Sequence, residues 1–302
     1  MLSVLAGYFQ KIISSLIAKE SNKFLEYLFL KRDGAIFNGL MQHMTHHSMA
    51  QLVIELLQVQ IKPEDRQKKL NMNYSDGSDN EQDNEDNQET ELTPEQQRMQ
   101  EILNKKGQQI ILALMDQLST RNKGDLEVAL NSHTILMEFT ENDQCFNLLI
   151  APEALTRLIT VVCQGLNNPQ LRYAMNLLTT IINEFSSTEK EISDERRISI
   201  QEMFGKYFID ICYNCIIVLL QQHPDEASYL NTTHTEVRKV GYTRLRAMEL
   251  LKSLFLVVSK MGQKGKELVT PLLRSKIIDA MLHMIKTYPF CSLSHSQCIQ
   301  IF

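Results

Sequence analysis

The sequence predicts an all-α protein organised as a helical-repeat solenoid. Apolar residues recur at i, i+3 and i+4 along most of the 302 residues, which is the spacing of one helix face. Glycine and proline, which break helices, are scarce, at 11 and 7 residues. Helix starts near Gly124 and Pro169 lie about 45 residues apart, within the period of armadillo and HEAT repeats, so the predicted architecture is an armadillo/HEAT-like solenoid.

The first helices follow from an apolar stripe and a series of capping residues. The stripe covers residues 2–17. Serine and aspartate side chains accept hydrogen bonds from free N–H groups at helix starts, and the next three helices are predicted to begin at such residues: Ser21, Asp33 and Ser48. Pro63, followed by two acidic residues, predicts a further helix that reaches Met72, because proline and acids suit a first turn.

Residues 73–93 form an acidic, low-complexity tract that we expect to be a disordered insertion. Nine acidic residues and no basic residue lie between Lys69 and Arg98, and almost nothing apolar is available for burial. Ser78 precedes several acids and is a candidate for an acid-directed kinase, with Ser75 as a second candidate. Setting those nine acids aside leaves 31 basic against 27 acidic side chains, a net charge of +4.

Helical periodicity continues over the rest of the chain. Thr93 as cap and Pro94 in the first turn begin a helix predicted to reach Leu118. The later predicted helices cover 126–139, 152–165, 169–185, 191–222, 237–260 and 271–287, with a break left open near Gly205. The chain stops inside an apolar run, so we expect one domain over 1–302 that is truncated at one or both ends.

Composition excludes several classes of protein. A net charge of +4 outside the acidic tract is too weak to indicate nucleic-acid binding. Six cysteines without framework spacing favour a reducing compartment. No signal peptide is evident, and the closest approach to a membrane span, residues 240–258, carries four charges, so no membrane contact is predicted. We expect a cytoplasmic protein, with the nucleus left open.

Two clusters of side chains have residue types suited to metal binding or redox chemistry, but their context favours neither. His43 and His47, at i and i+4, would share one helix face, but no third ligand follows at a nearby spacing. Cys212 and Cys215 lie within an apolar helix rather than at an exposed helix start, which indicates buried structural cysteines. No catalytic motif is present, so the prediction is a protein without metal, cofactor or catalysis; a metal-dependent enzyme using His43 and His47 is a remote alternative.

The densest basic stretch, residues 238–246, supplies the candidate partner contacts Arg238, Arg244 and Arg246. Basic side chains are unfavourable at the positive end of a helix dipole, where this stretch begins a helix. We therefore expect Arg244 to have a carboxylate partner, either in this chain or in another protein, with the internal, structural role slightly favoured.

Three stretches give the chain a resemblance to a known family. The first comprises residues 6–11, 16–19 and 52–57 and is followed by Arg66-Gln67. The second is Gly241-Tyr242-Thr243-Arg244-Leu245, and the third covers 288–301. In this order they resemble the SAPS-domain family, the regulatory subunits of Sit-type or type 6 protein phosphatases. The resemblance extends over nearly the whole chain.

The resemblance implies a helical-repeat scaffold without catalytic activity of its own. Such a scaffold would bind the catalytic subunit of a type 6-like serine/threonine phosphatase and direct it to substrates, and a further scaffold or substrate-adaptor protein would be an additional partner. An armadillo-type protein-interaction adaptor unrelated to phosphatases is the alternative reading of the same sequence.

Overall fold

The computed structural model describes residues 3–28, 35–61, 94–119, 126–164, 170–187, 192–221, 228–230, 232, 234, 236–274 and 276–301. Almost all of these residues are helical, so the all-α prediction is confirmed. Contacts divide the chain into two compact units, Met1–Ile110 and Ile111–Phe302. The expected single domain over 1–302 stays a prediction.

The first unit is built from α1 (Ser3–Glu26), α2 (Ala35–Gln42), α3 (His47–Ile61) and the first part of α4 (Pro94–Gln117). Helices α1 and α2 both pack against α3. The α3 residues Leu52 and Val53 are fully buried, as is Ala6 of α1. Gln10 and Ser14 of α1 both donate hydrogen bonds to the Glu55 carboxylate of α3.

The second unit contains nine helices among the residues described. They are α5 (Leu126–Glu141), α6 (Asp143–Leu149), α7 (Pro152–Gln164), α8 (Leu171–Ser186), α9 (Asp194–Gln221), α10 (Tyr242–Ser259), α11 (Gln263–Leu273), α12 (Ile277–Thr287) and α13 (Ser292–Ile301). Within α9, residues Cys212–Ile217 form a π-helical segment. Between α9 and α10, β1 (Tyr229–Leu230) pairs antiparallel with β2 (Glu236–Val237), with Tyr229 opposite Val237.

Four helices of the second unit form a row in which α8 contacts α5, α10 contacts α8, and α13 contacts α10. Helix α9 lies behind this row and contacts α7, α10, α11 and α12. Aromatic pairs join the two layers: the rings of Phe185 and Phe204 are 6.0 Å apart, and those of Phe208 and Phe255 are 5.8 Å apart. Such pairs add about 0.5–1.5 kcal/mol each beyond the burial of their area.

Several helix boundaries agree with the sequence. Helices α4 and α7 begin at Pro94 and Pro152, where the missing N–H of proline has no helical partner to lose. Helix α8 spans the predicted apolar run, and α9 passes through Gly205 without a break. The expected acidic insertion at 73–93 and the helix after Pro63 lie outside the described residues.

Three predicted boundaries are wrong. Ser21 begins no new helix, because α1 continues through it to Glu26. Pro271 lies in the last turn of α11 rather than at a helix start, and a separate helix, α12, begins at Ile277. Helix α10 begins at Tyr242, after Gly241 with a φ of 78°, so the residues around 237 belong to a strand instead. In each case contacts between elements outweigh the local signal.

Helix α9 is long and apolar enough to cross a membrane by length and composition, with a mean hydropathy of 1.6 over its best window. The prediction that residues 240–258 come closest to a membrane span is therefore wrong. However, 56% of that window is buried against the rest of the second unit, as expected for a core helix, which passes the same test.

Candidate partner-binding groove

The three arginines of the basic stretch do not form one surface. Arg238 follows β2 and is exposed. Arg244 lies in the first turn of α10 and is 5% exposed. The side chain of Arg246, two residues further along α10, is 40% exposed. Because residues two apart point to nearly opposite sides of a helix, Arg244 faces the core while Arg246 does not.

Arg244 binds the end of a neighbouring helix. Its Nε donates to the Leu219 carbonyl at 3.2 Å, and its Nη1 donates to the Val240 carbonyl at 2.8 Å. Its guanidinium also lies 5.6 Å from the centre of the Tyr288 ring. Leu219 is in the last turn of α9, where carbonyls lack helical partners and the helix dipole is negative. A positive charge that is unfavourable for α10 is thus favourable for α9.

Arg246 instead lines a polar groove in the row of helices. The groove lies between α8, α10 and α13 and encloses a cavity of about 280 Å³. Its walls carry two basic side chains and one acidic side chain, together with amides and hydroxyls; among the lining residues are Asn176, Asn183, Arg246, Glu249, Lys252 and Gln297. We define this feature as the α10 groove.

Polar contacts order the floor and rim of the α10 groove. Arg246 Nη1 and Glu249 Oε2 are 2.5 Å apart, one turn along α10. Lys252 Nζ donates to Gln300 Oε1 of α13 at 2.6 Å. Ser253 Oγ donates to Asn183 Oδ1 of α8 at 2.7 Å, which leaves the Asn183 NH₂ group for other acceptors.

A half-buried histidine adjoins the groove. Asn176 Nδ2 lies 3.0 Å from His133 Nε2 of α5, and since an amide nitrogen only donates, Nε2 accepts and the proton is on Nδ1. Burial lowers the pKa of His133 to about 4, with the nearby Arg246 charge contributing in the same direction. His133 is therefore neutral at pH 7 and does not offset or add to the charge of the groove.

One groove atom has an unmet hydrogen-bonding capacity. Gln297 Oε1, on α13, is buried and has no hydrogen-bond partner among the described residues. Burying an amide oxygen without a donor costs about 1–3 kcal/mol. Such an atom in a natural structure usually accepts a hydrogen bond from protein or from ordered water, so Gln297 Oε1 has capacity for one donor.

The other candidate residues lie elsewhere. His43 is in the turn after α2 and His47 begins α3, so the expected shared helix face does not exist; both are exposed. Across the described ranges, no group of three or more His, Cys, Asp or Glu side chains is placed to hold a metal ion. Ser75 and Ser78 lie outside the described residues.

Cys212 and Cys215 are fully buried in the π-helical segment of α9, as expected for structural cysteines. Burial raises the pKa of both thiols, and that of Cys215 reaches about 12, with the neighbouring Cys163 adding to the effect. Because redox activity requires a thiolate, this environment disfavours it.

No protein-family model, curated protein or solved structure matches the chain. The geometry of the second unit therefore carries the functional argument. It assigns Arg246 to a groove, Arg244 to an internal contact and Arg238 to an exposed loop. Asn176, Asn183 and Gln297 were not predicted; Asn176 and Asn183 lie seven residues apart on α8, which places them on one face of that helix, and Gln297 on α13 gave no sequence signal.

Proposed function

We propose that the protein is a non-catalytic regulatory scaffold that binds a type 6-like serine/threonine phosphatase catalytic subunit and directs it to substrates. The observation that carries the proposal is the meeting of two stretches that resemble the SAPS-domain family. Residues 241–245 open α10, residues 288–301 include α13, and these helices pack together. The contact of Arg244 with Tyr288 lies at the junction of the two stretches.

The arrangement of the second unit also supports a repeat scaffold. The row helices begin at Leu126, Leu171, Tyr242 and Ser292, and the first two starts are 45 residues apart, within the armadillo/HEAT period of about 40–47. A wider interval separates α8 from α10 because the long α9 and the strand pair intervene. Stacked repeats of this kind present an extended face to partners, and a groove between neighbouring helices such as the α10 groove suits that use.

Co-precipitation tests the proposal. The full chain, tagged and mixed with purified type 6, type 2A and type 1 phosphatase catalytic subunits, should retain the type 6 subunit. Phosphatase activity of the bound fraction on a model phosphopeptide confirms that the subunit is native. If the chain retains none of the three, or retains all three equally, the assignment to type 6 regulation is wrong.

A generic armadillo-type adaptor is the second candidate, because the α10 groove offers polar groups for binding whether or not a phosphatase is present. The two functions separate by experiment. An adaptor of this kind would bind peptide segments through the groove while ignoring all phosphatase catalytic subunits.

A further inference from the structure

We propose that the α10 groove binds an extended, acidic peptide segment. A carboxylate of the peptide contacts Arg246 and Lys252, and a peptide backbone N–H donates to Gln297 Oε1. This inference concerns the class of ligand and holds for a phosphatase scaffold and for a generic adaptor alike. It goes beyond the proposed function because it needs no catalytic subunit.

The charge of the groove selects an acidic ligand. Arg246 and Lys252 outnumber Glu249, the one acidic residue of the lining, and the neighbouring His133 is uncharged. Arg246 uses Nη1 for Glu249, and a guanidinium has five N–H donors in a planar fork, so it can hold a second carboxylate. Lys252 is tied to Gln300 by one of its three donors.

The unpartnered oxygen of Gln297 selects a peptide over a small anion. An ionised carboxylate has no hydrogen-bond donor, so a small carboxylate ion would leave Gln297 Oε1 unsatisfied. A peptide backbone carries one donor and one acceptor per residue. On the opposite wall, the Asn183 NH₂ group can donate to a peptide carbonyl, because its Oδ1 already accepts from Ser253. The groove thus offers both an acceptor and a donor to one chain.

The same contacts select an extended segment over a helix. In a helix the backbone N–H and C=O groups bond to one another, so they are unavailable to Gln297 and Asn183. An extended chain leaves them free for an outside partner. A cavity of about 280 Å³ is also narrow for a helix, which measures about 10 Å across with its side chains.

Fluorescence anisotropy with two peptide libraries tests the proposal on the full chain. Both libraries are fluorescein-labelled and degenerate, one around a central Glu-Glu pair and the other around a central Lys-Lys pair. The acidic library should bind at least about tenfold more tightly, and its binding should weaken as salt screens the contact. No catalytic subunit is present, so failure of the phosphatase proposal leaves this result unaffected.

Two groove variants and one control variant locate the binding. Arg246→Ala should weaken binding of the acidic library about tenfold, whereas Arg238→Ala, which removes an exposed arginine outside the groove, should leave it within about twofold. Gln297→Met should weaken binding about fivefold without lowering the melting temperature, because the oxygen it removes has no internal partner.

The proposal is overturned if neither library binds, if both bind equally, or if the groove variants bind as the wild type does. A Gln297→Met variant that melts lower and binds equally would assign Gln297 to internal structure instead.

Discussion

Replacing Arg244 with alanine tests whether the basic residue at the start of α10 is structural. The substitution removes the donors to the Leu219 and Val240 carbonyls and the contact with the Tyr288 ring. Both carbonyls belong to buried residues, so they lose a charged donor in a place that water reaches poorly. We expect the free energy of unfolding of the second unit to fall.

The magnitude follows from these contacts. Hydrogen bonds from a charged donor contribute about 1.5–3 kcal/mol each, and a cation over an aromatic ring adds about 0.5–2 kcal/mol. The desolvation cost of the buried guanidinium disappears with it, so the net loss is smaller than the sum, about 3–5 kcal/mol. For a unit of this size that corresponds to a fall in melting temperature of about 10 °C.

Thermal unfolding followed by circular dichroism measures the effect, with two companion variants. Arg244→Lys keeps the charge but not the planar fork, so we expect about half of the loss. Arg246→Ala breaks only a half-exposed ion pair with Glu249, worth about 0.5 kcal/mol. An Arg244→Ala protein that melts within about 2 °C of the wild type would refute the structural role.

Two further predictions concern pH and packing. The pKa of His133 is 6.5 in the unfolded chain and about 4 in the folded protein, so the unfolded state takes up the proton first as the pH falls. The free energy of unfolding should therefore decrease by about 2 kcal/mol between pH 7 and 5. Urea unfolding should show that a His133→Gln variant lacks this decrease. Equal pH dependence in both proteins would contradict the lowered pKa. Gly265→Ala would place a Cβ 1.9 Å from the Val258 carbonyl oxygen and should lower the free energy of unfolding by about 3 kcal/mol. Gly39→Ala, whose Cβ would have nothing within 4 Å, should change it by less than about 1 kcal/mol. Equal melting temperatures of the two variants would argue against the α10–α11 packing.

Local signals predicted the helices well because they act within one turn. Proline in the first turn fixed the starts of α4 and α7, and apolar spacing fixed α8. The same rules misplaced Pro271, because a proline near the end of a helix loses only one hydrogen bond when packing extends the helix past it. The strand pair before α10 has two residues per strand, too few for a pattern of alternation to be visible.

The groove was only partly predictable because its lining residues lie far apart along the chain. Arg246 was found from local charge density. Asn183 and Gln297 are more than 100 residues apart, and neither is unusual in its own helix. They become neighbours of one cavity only because α8 and α13 flank α10. A polar site shared by separate repeats leaves no short motif in the sequence.

The two arginines of α10 allow the proposed binding to be tested separately from stability. Each residue of a helix turns by about 100°, so Arg244 and Arg246 lie on nearly opposite sides of α10. The first arginine neutralises the negative end of α9 behind the row, and the second lines the groove in front of it. The stretch that looks like one basic patch in the sequence therefore contributes to two separate structural features. Loss of Arg244 should act on folding and loss of Arg246 on ligand affinity, and because the two side chains lie on nearly opposite sides of α10, their effects on stability should add.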